Sequence, residues 1–176
     1  MLLFYIVGLP GSGKSAVGKI LKEDFGYEVN DLDDILKVEY KKSFSRILKD
    51  NGFSVVKALE GKILKRFKKY NNKIVVTLGT LANLELFNGK IIYIKTPKEK
   101  YLQRIGKISK KIKFVEEVYE SVHNTFSQKA DLVISLENKT KFEIAKIIDD
   151  FYRKNRNNWK KLAFSLDFYA NLLKTL

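Results

Sequence analysis

The chain has 176 residues, 45% of them apolar, which is about the length of one domain with a single core. It has no cysteine and one histidine, which excludes disulfides and clusters of cysteine or histidine metal ligands and fits a cytoplasmic protein. The net charge is +14, but only five of the 34 basic residues are arginines and the lysines are dispersed, which favours a solvated surface over a nucleic-acid site.

Apolar runs alternate with longer amphipathic segments, and this alternation predicts an α/β fold with a parallel sheet flanked by helices. The first run is too short for a signal peptide or a transmembrane span and is typical of a buried strand. Strands are predicted at 2–7, 27–31, 73–78, 91–95 and 132–136, and the first helices at 14–24, 43–50 and 55–70.

The segment 8–15, GLPGSGKS, lies directly between the first predicted strand and the first predicted helix. In this context the pattern G-x-x-x-x-G-K-S/T forms a phosphate-binding loop, the P-loop. Backbone N–H groups and the helix N-terminus favour a phosphate anion, Lys14 reaches the β- and γ-phosphates, and the Ser15 hydroxyl is a ligand for Mg²⁺. We therefore predict that ATP binds through Gly8, Gly11, Ser12, Gly13, Lys14, Ser15 and Ala16.

Two aspartates, Asp31 and Asp33, stand at the end of the second predicted strand. Side-chain alternation along a strand places both on the same side, and ligands of open α/β sheets bind beyond the carboxyl ends of the strands. One carboxylate near a magnesium ion and one near an acceptor hydroxyl would serve phosphoryl transfer. The alternative is that the two aspartates cap the following helix.

Later segments carry weaker signals. The segment 106–113 lacks an apolar stripe and is predicted to be a lid, with a plain connecting loop as the alternative.

Thr140 and Glu143 form a capping box that predicts the start of a helix. The run 155–158, NRNN, predicts a break in that helix. We expect a kinase domain over 1–150 and a helical extension over 151–176, which is packed on the domain or makes weak surface or partner contacts.

In their order along the chain, these motifs resemble the shikimate kinase family. The resemblance runs through most of 1–150 and is carried by the P-loop, Asp31 and Asp33, Lys57 and Glu60, Gly79, Arg104 and the segment 126–131. It implies a three-layer P-loop fold with a five-stranded parallel sheet of the nucleoside-monophosphate-kinase type, plus the extra C-terminal helix. It also implies ATP and Mg²⁺ as cosubstrate and metal.

The resemblance implies a role for each matched residue. Ser15 and Asp31 would hold Mg²⁺, and Asp33 would orient or deprotonate the acceptor hydroxyl. Arg104 would lie against the adenine, while Lys57 and Gly79 would contact the acceptor. The expected reaction moves the γ-phosphoryl group of ATP to a small hydroxylated metabolite, converting shikimate to shikimate 3-phosphate.

The substrate site departs from the family pattern and is degenerate in that sense. Lys57 stands where the family has an arginine, Val122 stands where a second arginine is expected, and lysines replace the lid arginine. Lysine keeps the charge but lacks the two-pronged geometry that binds a carboxylate. The alternatives are a related kinase for another acceptor, including a nucleoside or nucleotide, and a non-catalytic nucleotide-binding paralogue.

Overall fold

The computed structural model describes residues 3–67, 69–70, 73–80, 83–106 and 112–173, and for 104–106, 112–115 and 159–173 it describes the backbone only. The described strands form one five-stranded sheet in the order β2-β3-β1-β4-β5, and every neighbouring pair is parallel. The strands are β1 Phe4–Val7, β2 Val29–Asp31, β3 Ile74–Val76, β4 Lys90–Lys95 and β5 Leu132–Ser135. This confirms the predicted five-stranded parallel sheet.

Helices cover both faces of the sheet, as parallel strands require, because their crossover connections run over the faces. In the described part of the chain they are α1 Lys14–Glu23, α2 Leu32–Tyr40, α3 Phe44–Asn51, α4 Phe53–Phe67, α5 Lys98–Gly106, α6 Ile112–Lys129 and α7 Lys141–Leu173, with a short 3₁₀ helix at Leu84–Leu86.

The central strand β1 contributes to two cores. All four of its residues are buried, and alternation sends Tyr5 and Val7 to one face and Phe4 and Ile6 to the other. Helices α2 to α6 pack on the first face, and α1 and α7 pack on the second. Burial of each large apolar side chain stabilises the fold by about 1.5–3 kcal/mol. Because both faces of β1 are packed in this way, the strand is held in place, and so is the loop that follows it.

The capping box at the start of α7 forms as predicted. The backbone N–H of Thr140 donates to Oε2 of Glu143 over 2.7 Å, and the N–H of Glu143 donates to Oγ1 of Thr140 over 3.2 Å. Two helix-terminal N–H groups are thereby satisfied, which fixes where the helix begins.

The predicted break at 155–158 is wrong, because α7 runs without interruption from Lys141 to Leu173. The segment contains no glycine or proline, and Asn155 turns its side-chain amide back to the carbonyl of Phe151 over 2.8 Å. Polar residues on a solvent-facing surface do not end a helix whose other face is packed. The extension therefore continues the last helix of the domain, and the division at residue 150 stays a prediction.

The described helices include none that is both long enough and apolar enough to span a bilayer.

Candidate active site

The P-loop joins the carboxyl end of β1 to the first turn of α1. Gly13 precedes the helix with φ at 85°, in the left-handed region that glycine adopts without strain. At Gly8 a methyl group would lie 2.7 Å from the carbonyl oxygen of Ile94 in β4, so a side chain has no room there. The glycines thus allow the close backbone turn that a phosphate-binding loop needs.

Lys14 is a buried cation held inside this loop. It is 5% exposed, and its Nζ donates to the carbonyl oxygen of Leu9 over 2.8 Å and to Oγ of Ser12 over 3.4 Å. Burial lowers the pKa of Lys14 to about 8, although the negative charges of Glu60 and Asp31 act in the opposite direction. An anion arriving in the loop would replace lost hydration and stabilise the charged amine.

Asp31 connects the P-loop to α2. Its carboxylate caps α2 by accepting the N–H of Asp33 over 2.8 Å, and it also accepts a hydrogen bond from the Ser15 hydroxyl. Burial raises the pKa of Asp31, while the hydrogen bonds from Ser15 and Asp33 lower it. The two oxygen-bearing side chains assigned to magnesium are thus direct neighbours.

The prediction that strand alternation places Asp31 and Asp33 on the same side is wrong, although both residues line the same cleft. β2 ends at Asp31, and Asp33 lies in the first turn of α2, so strand alternation does not relate them. The capping alternative holds for Asp31. Both residues, with Ser15, line an open cleft of about 460 Å³ that runs along α1 from Ser15 to Glu23.

Asp33 is fixed by contacts on both oxygens. Oδ1 accepts the N–H of Phe44, the first residue of α3, over 2.6 Å, and Oδ2 lies 2.9 Å from Nζ of Lys37. Lys37 also contacts Asp34 over 2.8 Å, and the bonds to Asp34 and then Asp33 raise the pKa of Lys37. Lys37 is not among the residues predicted for the site. Its position one helical turn after Asp33 is the sequence feature that could have predicted this contact.

Glu60 holds the loop after β3 against the P-loop. It is fully buried in α4, and its carboxylate accepts the N–H of Gly79 over 3.0 Å, the N–H of Thr80 over 2.9 Å and the Thr80 hydroxyl. Burial raises the pKa of Glu60 and these bonds lower it. A methyl group on Gly79 would lie 1.9 Å from the carbonyl oxygen of Gly8, so the two loops touch.

The spacing of three residues between Lys57 and Glu60 on one helix predicts a contact between their side chains, and the structure does not place them on the same side of α4. Lys57 is exposed on α4, whereas Glu60 faces inward between the buried residues Val56 and Ile63. A single carboxylate on an otherwise apolar helix face is the sequence feature that could have predicted this buried contact.

Other predicted positions bear on the acceptor and adenine ends of the site. Val122 is 1% exposed in the core, so an arginine there would have to bury its guanidinium group. Its neighbour His123 has Nδ1 3.0 Å from the hydroxyl oxygen of Tyr93. The side chain of Arg104 lies outside the described residues, and so do 107–111, most of the predicted lid.

A P-loop after the central strand of a parallel sheet, with one carboxylate at the end of β2 and a second in the first turn of α2, defines the class of P-loop phosphotransferases. The sheet order and the buried Lys14 beside Asp31 and Glu60 follow that class.

Comparison with known proteins narrows the class. The shikimate kinase family model matches residues 10–152. A shikimate kinase of Persephonella marina is 33% identical over 152 residues, covering 80% of this chain and 92% of that protein.

Solved structures show the same fold. A shikimate kinase from Acinetobacter baumannii, in complex with shikimate, superposes with a TM-score of 0.72 at 21% identity, covering 88% of this chain and 94% of that one. The shikimate kinase of Aquifex aeolicus gives 0.67 at 24% identity, covering 88% and 98%. The chain belongs to the shikimate kinase family and is an ATP-dependent phosphotransferase.

Proposed function

We propose that this enzyme transfers the γ-phosphoryl group of ATP to a hydroxyl of shikimate, giving shikimate 3-phosphate and ADP. The observation that carries the proposal is the position of Asp33, which lines the same cleft as the P-loop residue Ser15. The family model matches this chain over residues 10–152. The proposed location is the cytoplasm, supported by the absence of cysteine from the sequence.

Mg²⁺ is the proposed metal, with Ser15 and Asp31 as its protein ligands. A hydroxyl and a carboxylate are the hard oxygen ligands that Mg²⁺ prefers, and the hydrogen bond between them puts them within reach of one ion. Among the described residues there is no group of three or more His, Asp or Glu side chains that could hold a metal. The ion would therefore complete its coordination with phosphate oxygens and water, and it would supply charge neutralisation at the β- and γ-phosphates.

In the proposed reaction the acceptor hydroxyl oxygen attacks the γ-phosphorus in line, and the bond to the β,γ-bridging oxygen breaks as ADP leaves. Asp33 orients the hydroxyl and takes its proton, which then passes to solvent. The bonds from Phe44 and Lys37 fix that carboxylate before the acceptor arrives, which supports this role. Lys14 offsets charge on the phosphates.

The acceptor contacts proposed are Lys57 and Gly79, and Arg104 is proposed to lie against the adenine. Lys57 supplies a positive charge for the shikimate carboxylate, and its exposure on α4 leaves its ammonium group accessible. The hydrogen bond that the Gly79 N–H donates to Glu60 fixes the backbone at Gly79.

The test is a coupled assay of ADP formation with shikimate, other hydroxy acids, nucleosides and nucleoside monophosphates offered in parallel. Shikimate should give the highest kcat/KM. Turnover of another acceptor without turnover of shikimate would assign a different substrate. Saturable ATP binding without turnover of any acceptor would identify a non-catalytic paralogue.

A further inference from the structure

A second cleft, of about 370 Å³, lies beyond the end of α1 that is remote from the P-loop. The loop between α1 and β2 forms one side of it and α7 forms the other. The residues that line it include Phe25, Tyr27, Glu28, Tyr152, Arg153 and Arg156. It shares no lining residue with the cleft that contains Ser15 and Asp33. Its volume is within the range of sites for small molecules.

Aromatic rings form the apolar surface of the second cleft. The ring centroids of Tyr27 and Tyr152 are 4.5 Å apart, and Tyr152 lies equally close to Phe4 of β1. Tyr152 is buried in the core, whereas Phe25 and Tyr27 are partly exposed. Rings held in place by such contacts offer a preformed surface on which the flat ring of a ligand can stack.

The polar groups at the base of the second cleft are held by Asp149. This carboxylate is 7% exposed, and its Oδ1 accepts the hydroxyl of Tyr27 over 2.5 Å. Nε of Arg153 donates to Oδ1 over 2.8 Å and to Oδ2 over 2.9 Å. The charge of Arg153 is thus offset by a carboxylate, and the hydroxyl of Tyr27 is fixed by it.

One positive charge remains, on Arg156. Glu28 is already paired, because its carboxylate lies 2.5 Å from Nζ of Lys73. Arg156 is exposed, and in the part of the chain that the structure describes it forms no salt bridge. Its guanidinium group lies near the hydroxyl of Tyr152, since burial raises the pKa of Tyr152 and the charge of Arg156 lowers it. With the other charges paired, the second cleft suits a ligand with a single negative charge.

We propose that the second cleft binds a small aromatic carboxylate, with its ring against Phe25 and Tyr27 and its carboxylate on Arg156. A guanidinium group donates two parallel hydrogen bonds to a carboxylate, which is the geometry that the single unpaired charge of the cleft offers. The site is separate from the P-loop and the acceptor cleft, so the proposal does not depend on the proposed function.

The experiment is a titration of the full chain with 4-hydroxybenzoate, without and with saturating ADP, followed by the backbone amide shifts in NMR spectra. The dissociation constant should be about 1 mM or tighter, as for a compact ligand of this size, and ADP should leave it within about twofold. The shifts should concentrate at 25–28 and 152–156 and spare the P-loop. Cyclohexanecarboxylate lacks the flat ring and benzyl alcohol lacks the charge, so each should bind about threefold or more weakly.

Variants of Arg156 test the carboxylate contact. Arg156→Gln should weaken binding of 4-hydroxybenzoate about tenfold or more, and Arg156→Lys should lie between Arg156→Gln and wild type. Lys154→Gln is the matched control, because Lys154 is an exposed cation on the same helix outside the second cleft, and it should stay within about twofold of wild type.

Three results would overturn the proposal: no amide shifts at 25–28 and 152–156 up to about 10 mM probe, displacement of the probe by ADP, or equal affinity in Arg156→Gln and wild type. Circular dichroism checks that each variant folds, and Arg156→Met takes the place of Arg156→Gln if that variant does not. If wild type binds the probe in the second cleft but never phosphorylates shikimate, the proposed function fails and this site stands.

Discussion

At the scale of single residues, the site depends on charged groups kept away from water. Lys14 is buried, and its amine donates hydrogen bonds to a carbonyl and a hydroxyl of its own loop. Neither carries the charge that an ammonium group requires for full compensation. The protein therefore holds a destabilised cation at the position where phosphate is expected.

Nucleotide affinity should consequently depend on pH through Lys14. The pKa of Lys14 without ligand is about 8, so the amine is charged below that pH and loses its proton above it. Phosphate binds the charged form, and the dissociation constant of ADP should rise about tenfold or more between pH 7 and pH 9.5. Titration calorimetry measures this, with Lys14→Met as the control that should bind weakly and show a flatter profile. A wild-type dissociation constant that does not change over this range would contradict the assignment.

Asp33 and its neighbour provide a matched pair for testing the proposed base. Asp33→Asn keeps an oxygen for the Phe44 N–H but cannot accept a proton, so kcat should fall by about 10²–10⁴ with the KM for ATP little changed. Asp34→Asn is the control, because Asp34 also contacts Lys37 but its side chain is 73% exposed. Steady-state kinetics of both variants decide the point, and equal effects in the two would remove Asp33 from the chemistry.

Lys57 tests the proposed carboxylate contact. Lys57→Ala should raise the KM for shikimate by about 10- to 150-fold, the loss of one charged hydrogen bond, while Lys57→Arg should lower it because a guanidinium group can bind both carboxylate oxygens. Lys65→Ala, an exposed lysine on the same helix, serves as control. An unchanged KM in Lys57→Ala would exclude the contact.

At the scale of elements, the hydrogen bonds that Glu60 accepts join α4 to the loop after β3. Gly79 of that loop in turn lies against the P-loop. The buried carboxylate satisfies three donors, and each would be left unpaired if the carboxylate were removed. This contact explains why a charged residue is tolerated on the inner face of α4.

Glu60→Ala should therefore lower the free energy of unfolding by about 3 kcal/mol, and Glu60→Gln by less, since its amide oxygen still accepts. The matched control is Glu39→Ala, which breaks a surface pair with Arg66 and should cost about 1 kcal/mol or less. Urea unfolding measures all three variants. Equal losses in Glu60→Ala and Glu39→Ala would contradict a structural role for the buried carboxylate.

At the scale of the whole molecule, the sheet and the P-loop could be predicted because local patterns determine them. Continuous apolar runs mark strands buried on both faces, and the GLPGSGKS segment has meaning only between a strand and a helix. The predicted break at 155–158 is wrong because polar residues on an exposed helix face resemble a loop in sequence, whereas packing elsewhere on α7 keeps the helix intact.

The parts of the site that sequence reasoning missed depend on contacts between distant segments. Glu60 contacts Gly79 and Thr80 because the packing of α4 on the sheet brings its inner face against the loop after β3. No local spacing encodes such pairs, since only the assembled sheet brings them together.

Transfer of a phosphoryl group from ATP to shikimate by this protein can be observed by phosphorus NMR and mass spectrometry of a reaction with ATP, Mg²⁺ and shikimate, with Lys14→Ala as the inactive control. We expect wild type to give a new phosphomonoester signal and a product one phosphoryl group heavier than shikimate, formed in equal amount to ADP and absent with Lys14→Ala. Folded wild-type protein that binds ATP yet leaves shikimate unmodified would rule out shikimate as the acceptor.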